Sequence, residues 1–250
     1  MTDAWAELRR GTRARIGLGR AGDSLPTRRV LELRAAHAAA RDAVHEPLDA
    51  ATFTTRVADV GLGTPVVVRS RARDRGEYLR RPDLGRVPAT LDAVPDTGAD
   101  IGIVLADGLS PRALTDHGMP LLTALVDALG ERYRIAPPVI ATEARVALGD
   151  PVGQALGVAA VLVVIGERPG LSVADSLGIY LTHLPRPGRT DADRNCVSNI
   201  HPPDGLGYRA AATVVSGLVD GARRLGRSGV ALKDSSRADP LASPAPIVEL

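Results

Sequence analysis

Cysteine is almost missing from this chain, and the single Cys196 excludes an internal disulfide framework and any multi-cysteine zinc or iron–sulfur site. A reducing compartment is the expected home. Aromatic residues make up only 2% of the 250 positions, too few rings to build a stacking platform for single-stranded nucleic acid. Lysine occurs once, at Lys233, and 31 basic residues stand against 29 acidic ones, so no broad field steers polyanions. Nucleic acid is therefore not an expected partner. No uninterrupted apolar stretch approaches the roughly 20 residues that span a bilayer, and Met1 to Arg10 is too charged for a secretory signal. The chain is thus expected to be a soluble, cytoplasmic protein with no membrane association.

The residues that are present in quantity are aliphatic. The 44% hydrophobic content comes mostly from Val, Leu, Ile and Ala, enough for one sizeable core plus an appendage. Leu25-Pro26-Thr27 opens a helix whose apolar face runs through Val30, Leu33, His37, Ala40 and Val44. A short helix follows Asp49, Pro65 to Val68 has strand character, and another helical turn falls at Glu77 to Arg81. Residues 1–97 thus read as a mostly helical N-terminal region. Pro95-Asp96-Thr97-Gly98 is a linker, and residues 98–233 alternate apolar runs with helices as a parallel α/β sheet requires.

Within that second region Ile101 to Ala106 is a buried strand, and Ser110-Pro111 caps a helix running to Leu129. Pro138 to Thr142 and Leu177 to Thr182 are further strands, a short helix follows Asp150-Pro151, and Ala159 to Ile165 is the central strand. Pro185 to Gly207 reads as one long polar loop, a form usually functional in a compact domain, before a helix from Tyr208 to Leu225. The tail 234–250, rich in Ser, Ala and Pro, is expected to be disordered.

Gly17 to Gly22 matches a dinucleotide fingerprint as a string, but no buried strand precedes it and Pro26 interrupts the segment after it, so it reads as a loop. None of the five histidines has metal-site spacing; His37 reads as a packing residue and the others as loop or surface residues. No metal site is expected. Asp107 stands at the carboxyl edge of a strand, where it either caps the next helix or touches a ligand. Gly166-Glu167-Arg168-Pro169-Gly170 comes directly after the most apolar strand: Glu167 is either a ligand-facing carboxylate or half of a surface pair with Arg168. Cys196 lacks a histidine partner at a recognisable spacing, which rejects a nucleophilic role.

Arg15 to Gly22, Arg81-Pro82-Asp83-Leu84-Gly85-Arg86, Leu105 to Ser110, Ile165 to Ser172, Asp175-Ser176-Leu177 and Asp193 to Ile200 are several strings in one order. Together they resemble the small subunit of ethanolamine ammonia-lyase. The resemblance covers roughly Ala14 to Lys233 and implies a Rossmann-like cobalamin-binding domain after a largely helical N-terminal region. It implies adenosylcobalamin as cofactor and a separate TIM-barrel large subunit as partner in a hetero-oligomer, with ethanolamine converted to acetaldehyde and ammonia by a radical mechanism. The cofactor contacts it implies fall on Val146, Glu167 and Cys196, and it implies no catalytic residue in this chain. No Asp-x-His-x-x-Gly string is present, so the cobalamin is expected to keep its own base on cobalt. The location implied is the cytosol, either free or inside a bacterial microcompartment. A stand-alone nucleotide-dependent enzyme and a non-enzymatic cobalamin carrier are the competing readings.

Overall fold

The computed structural model describes residues 5–234, so the expected disordered tail lies outside the described residues except for Asp234. Seven helices and six strands are described. They run α1 (Ala6–Arg10), α2 (Thr27–His45), α3 (Ala50–Ala58), β1 (Val66–Arg69), α4 (Arg75–Arg80), β2 (Ile101–Ala106) and α5 (Pro111–Leu129). Then come β3 (Val139–Thr142), α6 (Gly149–Ala155), β4 (Ala160–Gly166), β5 (Leu177–His183), β6 (Arg194–Ile200) and α7 (Tyr208–Leu225).

The six strands form one sheet in the order β1-β3-β2-β4-β5-β6. The first four are parallel, and β5 and β6 extend the sheet antiparallel. Every residue of β2 and β4 is buried, and successive side chains go to opposite faces. Ile101, Ile103, Leu105, Leu162 and Val164 meet α3, α5 and α7 on one face. Val104, Ala106, Val161, Val163 and Ile165 meet α6 and its flanks on the other. Helices on both faces explain why these strands read as continuous apolar runs. Helix α5 starts where expected: the Ser110 hydroxyl accepts from the Ala113 N–H, and Pro111 fills a position that needs no donor.

Four expectations need correction. The supposed loop from Pro185 to Gly207 contains β6, which pairs along β5. Its buried positions are Arg194, Val197 and Ile200, and a register shift opposite Leu177 to Ile179 falls between the last two, so no alternation betrays a strand. His37 is exposed, whereas His183 and His201 are buried and His117 hydrogen-bonds the Tyr208 hydroxyl. On α2 only Ala40 and Ala43 are buried; Leu33 joins His37 in solvent. The sheet and its core also run across residues 97 and 98: β1 pairs with β3, and Phe53 and Val57 of α3 pack into the core under β2.

Candidate functional site

The connection after β2 leads to α5 on one face and that after β3 leads to α6 on the other, so a crevice opens between these strands at their carboxyl ends. Asp107 fills its floor. Its Oδ2 accepts from the Glu143 N–H at 2.7 Å and its Oδ1 from the Ala144 N–H at 2.9 Å, tying the exit of β2 to the exit of β3. Arg75 from α4 completes the cluster, donating to Asp107 Oδ2 at 3.3 Å, to the Gly108 carbonyl at 2.8 Å and to the Val44 carbonyl at 2.8 Å. Burial pushes the Asp107 carboxyl up to about 6, against the pull of Arg75 and the two N–H donors. Glu143 holds a left-handed φ of 51°, costly for a residue with a Cβ, and the bond from its N–H to Asp107 helps fix that shape. The cap of α5 belongs to Ser110, so Asp107 is neither a simple helix cap nor open to a ligand.

Above this floor the exit loops of β2 and β4 meet backbone to backbone. The Leu109 N–H donates to the Gly166 carbonyl at 3.0 Å. A Cβ on Gly108, which has φ +58°, would lie 2.2 Å from that carbonyl, and one on Gly166 would lie 2.1 Å from the Ser110 carbonyl. Only glycine fits at either position.

A cavity of about 400 Å³ opens beside these loops. Its walls include Val146 and Arg145 after β3, Glu167 after β4, Tyr78 from α4 and Tyr180 on β5. Two sequence-derived site residues, Val146 and Glu167, therefore share one cavity. Glu167 is half-buried, and Oε2 accepts from the Ser176 hydroxyl at 2.7 Å and the Asn199 N–H at 3.2 Å. Among the described residues no ion pair joins it to Arg168 and no hydrogen bond engages Oε1, which disposes of the surface-pair reading. Asn199, like Glu143, has a left-handed φ, here 62°, with its N–H on an acid.

Cys196 does not line this cavity; it lies on β6, paired in register with Tyr180, whose ring does. The residue is exposed as a whole, yet the protein around its sulfur desolvates it and pushes the thiol above its ordinary value. The Tyr180 hydroxyl opposes that shift by hydrogen bonding, and the Glu167 charge adds to it. Burial likewise raises the Tyr180 and Tyr78 phenols, leaving both as neutral hydroxyls at ordinary pH. Sequence reasoning missed Arg75, Tyr78, Arg145 and Tyr180. Arg145 and Tyr78 were visible only as neighbours of quoted strings, and nothing in their spacing tells that the Arg75 and Arg145 guanidiniums lie over the Tyr78 ring, at 4.9 and 4.7 Å.

The site offers a carboxylate acceptor, guanidinium and phenol donors and two glycine-bared loops, a set suited to holding and orienting a polar ligand. The glycine string at 17–22 sits in a loop against Trp5, between α1 and α2 and away from any strand, as a dinucleotide site does not. Among the described residues no cluster of three metal-ligating side chains occurs, and no helix is long and apolar enough to cross a membrane.

Comparison with known proteins adds to this geometry. The profile of the family described as ethanolamine ammonia-lyase light chain matches residues 2–233. A protein of Rhodococcus erythropolis named ethanolamine ammonia-lyase small subunit is 71% identical over 241 residues, covering 96% of this chain and 94% of its own. Proteins of the same name from Ralstonia nicotianae and Rhodopseudomonas palustris are 47% and 49% identical, over 93% and 92% of this chain and 88% and 90% of theirs.

Proposed function

The chain belongs to the ethanolamine ammonia-lyase light-chain family, and on that premise we propose that it is the small subunit that holds adenosylcobalamin against a large TIM-barrel chain. The hetero-oligomer would convert ethanolamine to acetaldehyde and ammonia, with this sheet acting as a Rossmann-like cobalamin-binding domain. The observation that best supports the reading is the convergence of Val146, Glu167 and the Cys196 partner Tyr180 at one cavity on the carboxyl edge of the parallel strands.

The residues present fit a corrinoid. Its rim carries carboxamides, which donate to a carboxylate and accept from guanidinium, and the cavity is lined by Glu167, whose Oε1 is unbonded, and by the Arg145 guanidinium, which no protein acceptor engages among the described residues. Gly108 and Gly166 keep the loops bare enough for a broad, flat ligand to approach. A corrinoid is far larger than a cavity of about 400 Å³, so this chain can cover only part of it and a second chain must supply the rest. When bound, the cofactor would supply the radical chemistry, from its cobalt–carbon bond. Glu167 and Arg145 would hold the ring edge, Val146 would exclude water from its face, and Tyr180 would position Cys196 beside it. No residue of this chain is assigned a proton transfer or a covalent step, so the free chain is expected to be catalytically silent.

Equilibrium titration of adenosylcobalamin into the assembled two-subunit complex tests the reading. Loss of a partly buried ligand hydrogen bond costs about 1 to 3 kcal/mol, so Glu167→Ala should weaken binding about tenfold to a hundredfold, and Arg168→Ala should not. Equal affinities for wild type and Glu167→Ala would return this carboxylate to a structural role.

A further inference from the structure

Next to the Val146–Glu167 cavity, and sharing Arg145, Val146 and Tyr180 with it, lies a second cavity of about 440 Å³. Four guanidinium side chains line it, Arg86, Arg145, Arg189 and Arg194, against the single carboxylate of Asp191. Two of the four are already engaged. Arg194 is buried and makes a paired contact with Asp150 at 2.7 and 2.8 Å, and Arg189 donates to the His183 and Leu184 carbonyls and lies 3.9 Å from Asp193.

Arg86 and Arg145 are not. Among the described residues no hydrogen bond or ion pair engages either guanidinium, and the buried Nε of Arg145 has no partner. Backbone contacts bring the two together: the Arg145 N–H donates to the Gly85 carbonyl at 2.8 Å, joining the turn Leu84–Arg86 to the turn Val146–Leu148. Gly85 permits that approach, since a Cβ there would lie 2.7 Å from the Tyr78 ring. The Tyr78 ring in turn supports the Arg145 guanidinium, 4.7 Å away. Two guanidiniums that no protein carboxylate neutralises, one of them seated on the Tyr78 ring, stand at one cavity and form a donor set for a phosphate group.

We infer that Arg86 and Arg145 form a phosphate subsite that takes the phosphodiester of the cofactor's nucleotide loop. The inference rests on the cobalamin reading given above and adds which part of the ligand enters the second cavity. The corrin carboxyl groups are all amidated, so the phosphodiester is the one peripheral group of cobalamin with a formal negative charge. A ligand whose ring edge meets Glu167 and whose phosphodiester meets Arg86 would span both cavities through their shared wall at Arg145.

The test titrates three ligands into the assembled complex and follows their absorbance changes: adenosylcobalamin, adenosylcobinamide, which keeps the aminopropanol arm but lacks phosphate, ribose and base, and adenosylcobinamide phosphate, which adds the phosphate without ribose or base. Arg86→Gln should weaken the two phosphate-bearing ligands about tenfold or more and leave adenosylcobinamide within about twofold of wild type, whereas Arg145→Gln, which also removes a ring-edge donor, should weaken all three ligands and the phosphate-bearing pair about tenfold more than adenosylcobinamide. Arg86 is exposed, so its variant is expected to fold normally; unchanged thermal midpoints verify this. Losses of equal size for all three ligands in Arg86→Gln or in Arg145→Gln, or no loss from either variant, would overturn the subsite while leaving the cobalamin reading intact. Failure of the wild-type complex to bind any of the three would overturn that reading, and the subsite with it.

Discussion

At the scale of single residues, Asp107 carries the most structural consequence. Its carboxyl is 1% exposed and bonds to two N–H groups and to Arg75, linking three chain segments. Because burial raises its folded pKa to about 6, above the unfolded range near 3.9, the folded state binds more protons here than the unfolded one between those values. Its contribution to stability is thus fully present below about pH 4 and declines as pH rises through about 6. The stability difference between wild type and Asp107→Asn, followed by denaturant titration from pH 4 to 7, should shrink by as much as about 3 kcal/mol. A difference that stays flat or grows with pH would contradict the assignment. The sequence located Asp107 at a strand's carboxyl edge, because an apolar run ending in Asp-Gly is a local signal. It could not reveal that the carboxylate reaches residues 143 and 144, since that contact depends on which strands become neighbours. The same holds for Glu167: its place after β4 was legible, and its bonds to Ser176 and Asn199 were not.

At the scale of elements, legibility tracks burial. Strands β2 and β4 are covered on both faces and announce themselves, while β6 lies at the sheet edge, carries a register shift and hides inside a polar string. Helix α2 is the opposite case. Its periodicity predicts a buried stripe, yet Leu31, Leu33 and His37 face solvent and only two alanines are buried. The pattern reports an apolar face without saying what covers it. A helix with so little tertiary packing is stabilised weakly, and its C-terminal end is held chiefly by Arg75 on the Val44 carbonyl. Hydrogen exchange of the free chain should therefore find the amides of residues 31–37 protected at least about tenfold less than those in the middle of α5. Equal protection in the two helices would show that α2 is anchored by more than these contacts.

At the scale of the whole molecule, the two-region reading of the sequence meets a single sheet. The linker around Pro95 to Gly98 is real as a connection, but β1 had already left the N-terminal region to pair with β3, and Arg75 and Tyr78 of α4 help build the candidate site. A mostly helical stretch can contribute one short strand without changing its composition, and for that reason periodicity alone leaves the sheet's outer edge unread. The cavity is likewise a product of the whole chain, drawing its walls from α4, from three strand exits and from β5.

Strand order also sets a sequence of events in time. The β4-β5-β6 meander joins neighbours in space that are neighbours along the chain, whereas β1 must bypass β2 to reach β3, and β3 must be followed by a crossover past β2 to β4. Closing short loops loses less entropy than closing long ones, so the meander is favoured to assemble first and the β1 pairing last. Leu181→Ala, in the meander, should slow refolding in stopped-flow measurements, while Val68→Ala, in β1, should chiefly speed unfolding. The reverse partition would refute this order. Since the floor at Asp107 joins the exits of β2 and β3 and is roofed by loops from β4, the ligand cavity is complete only when the crossovers have closed: the refolding chain regains its β4-β5-β6 meander before it regains anything that can bind.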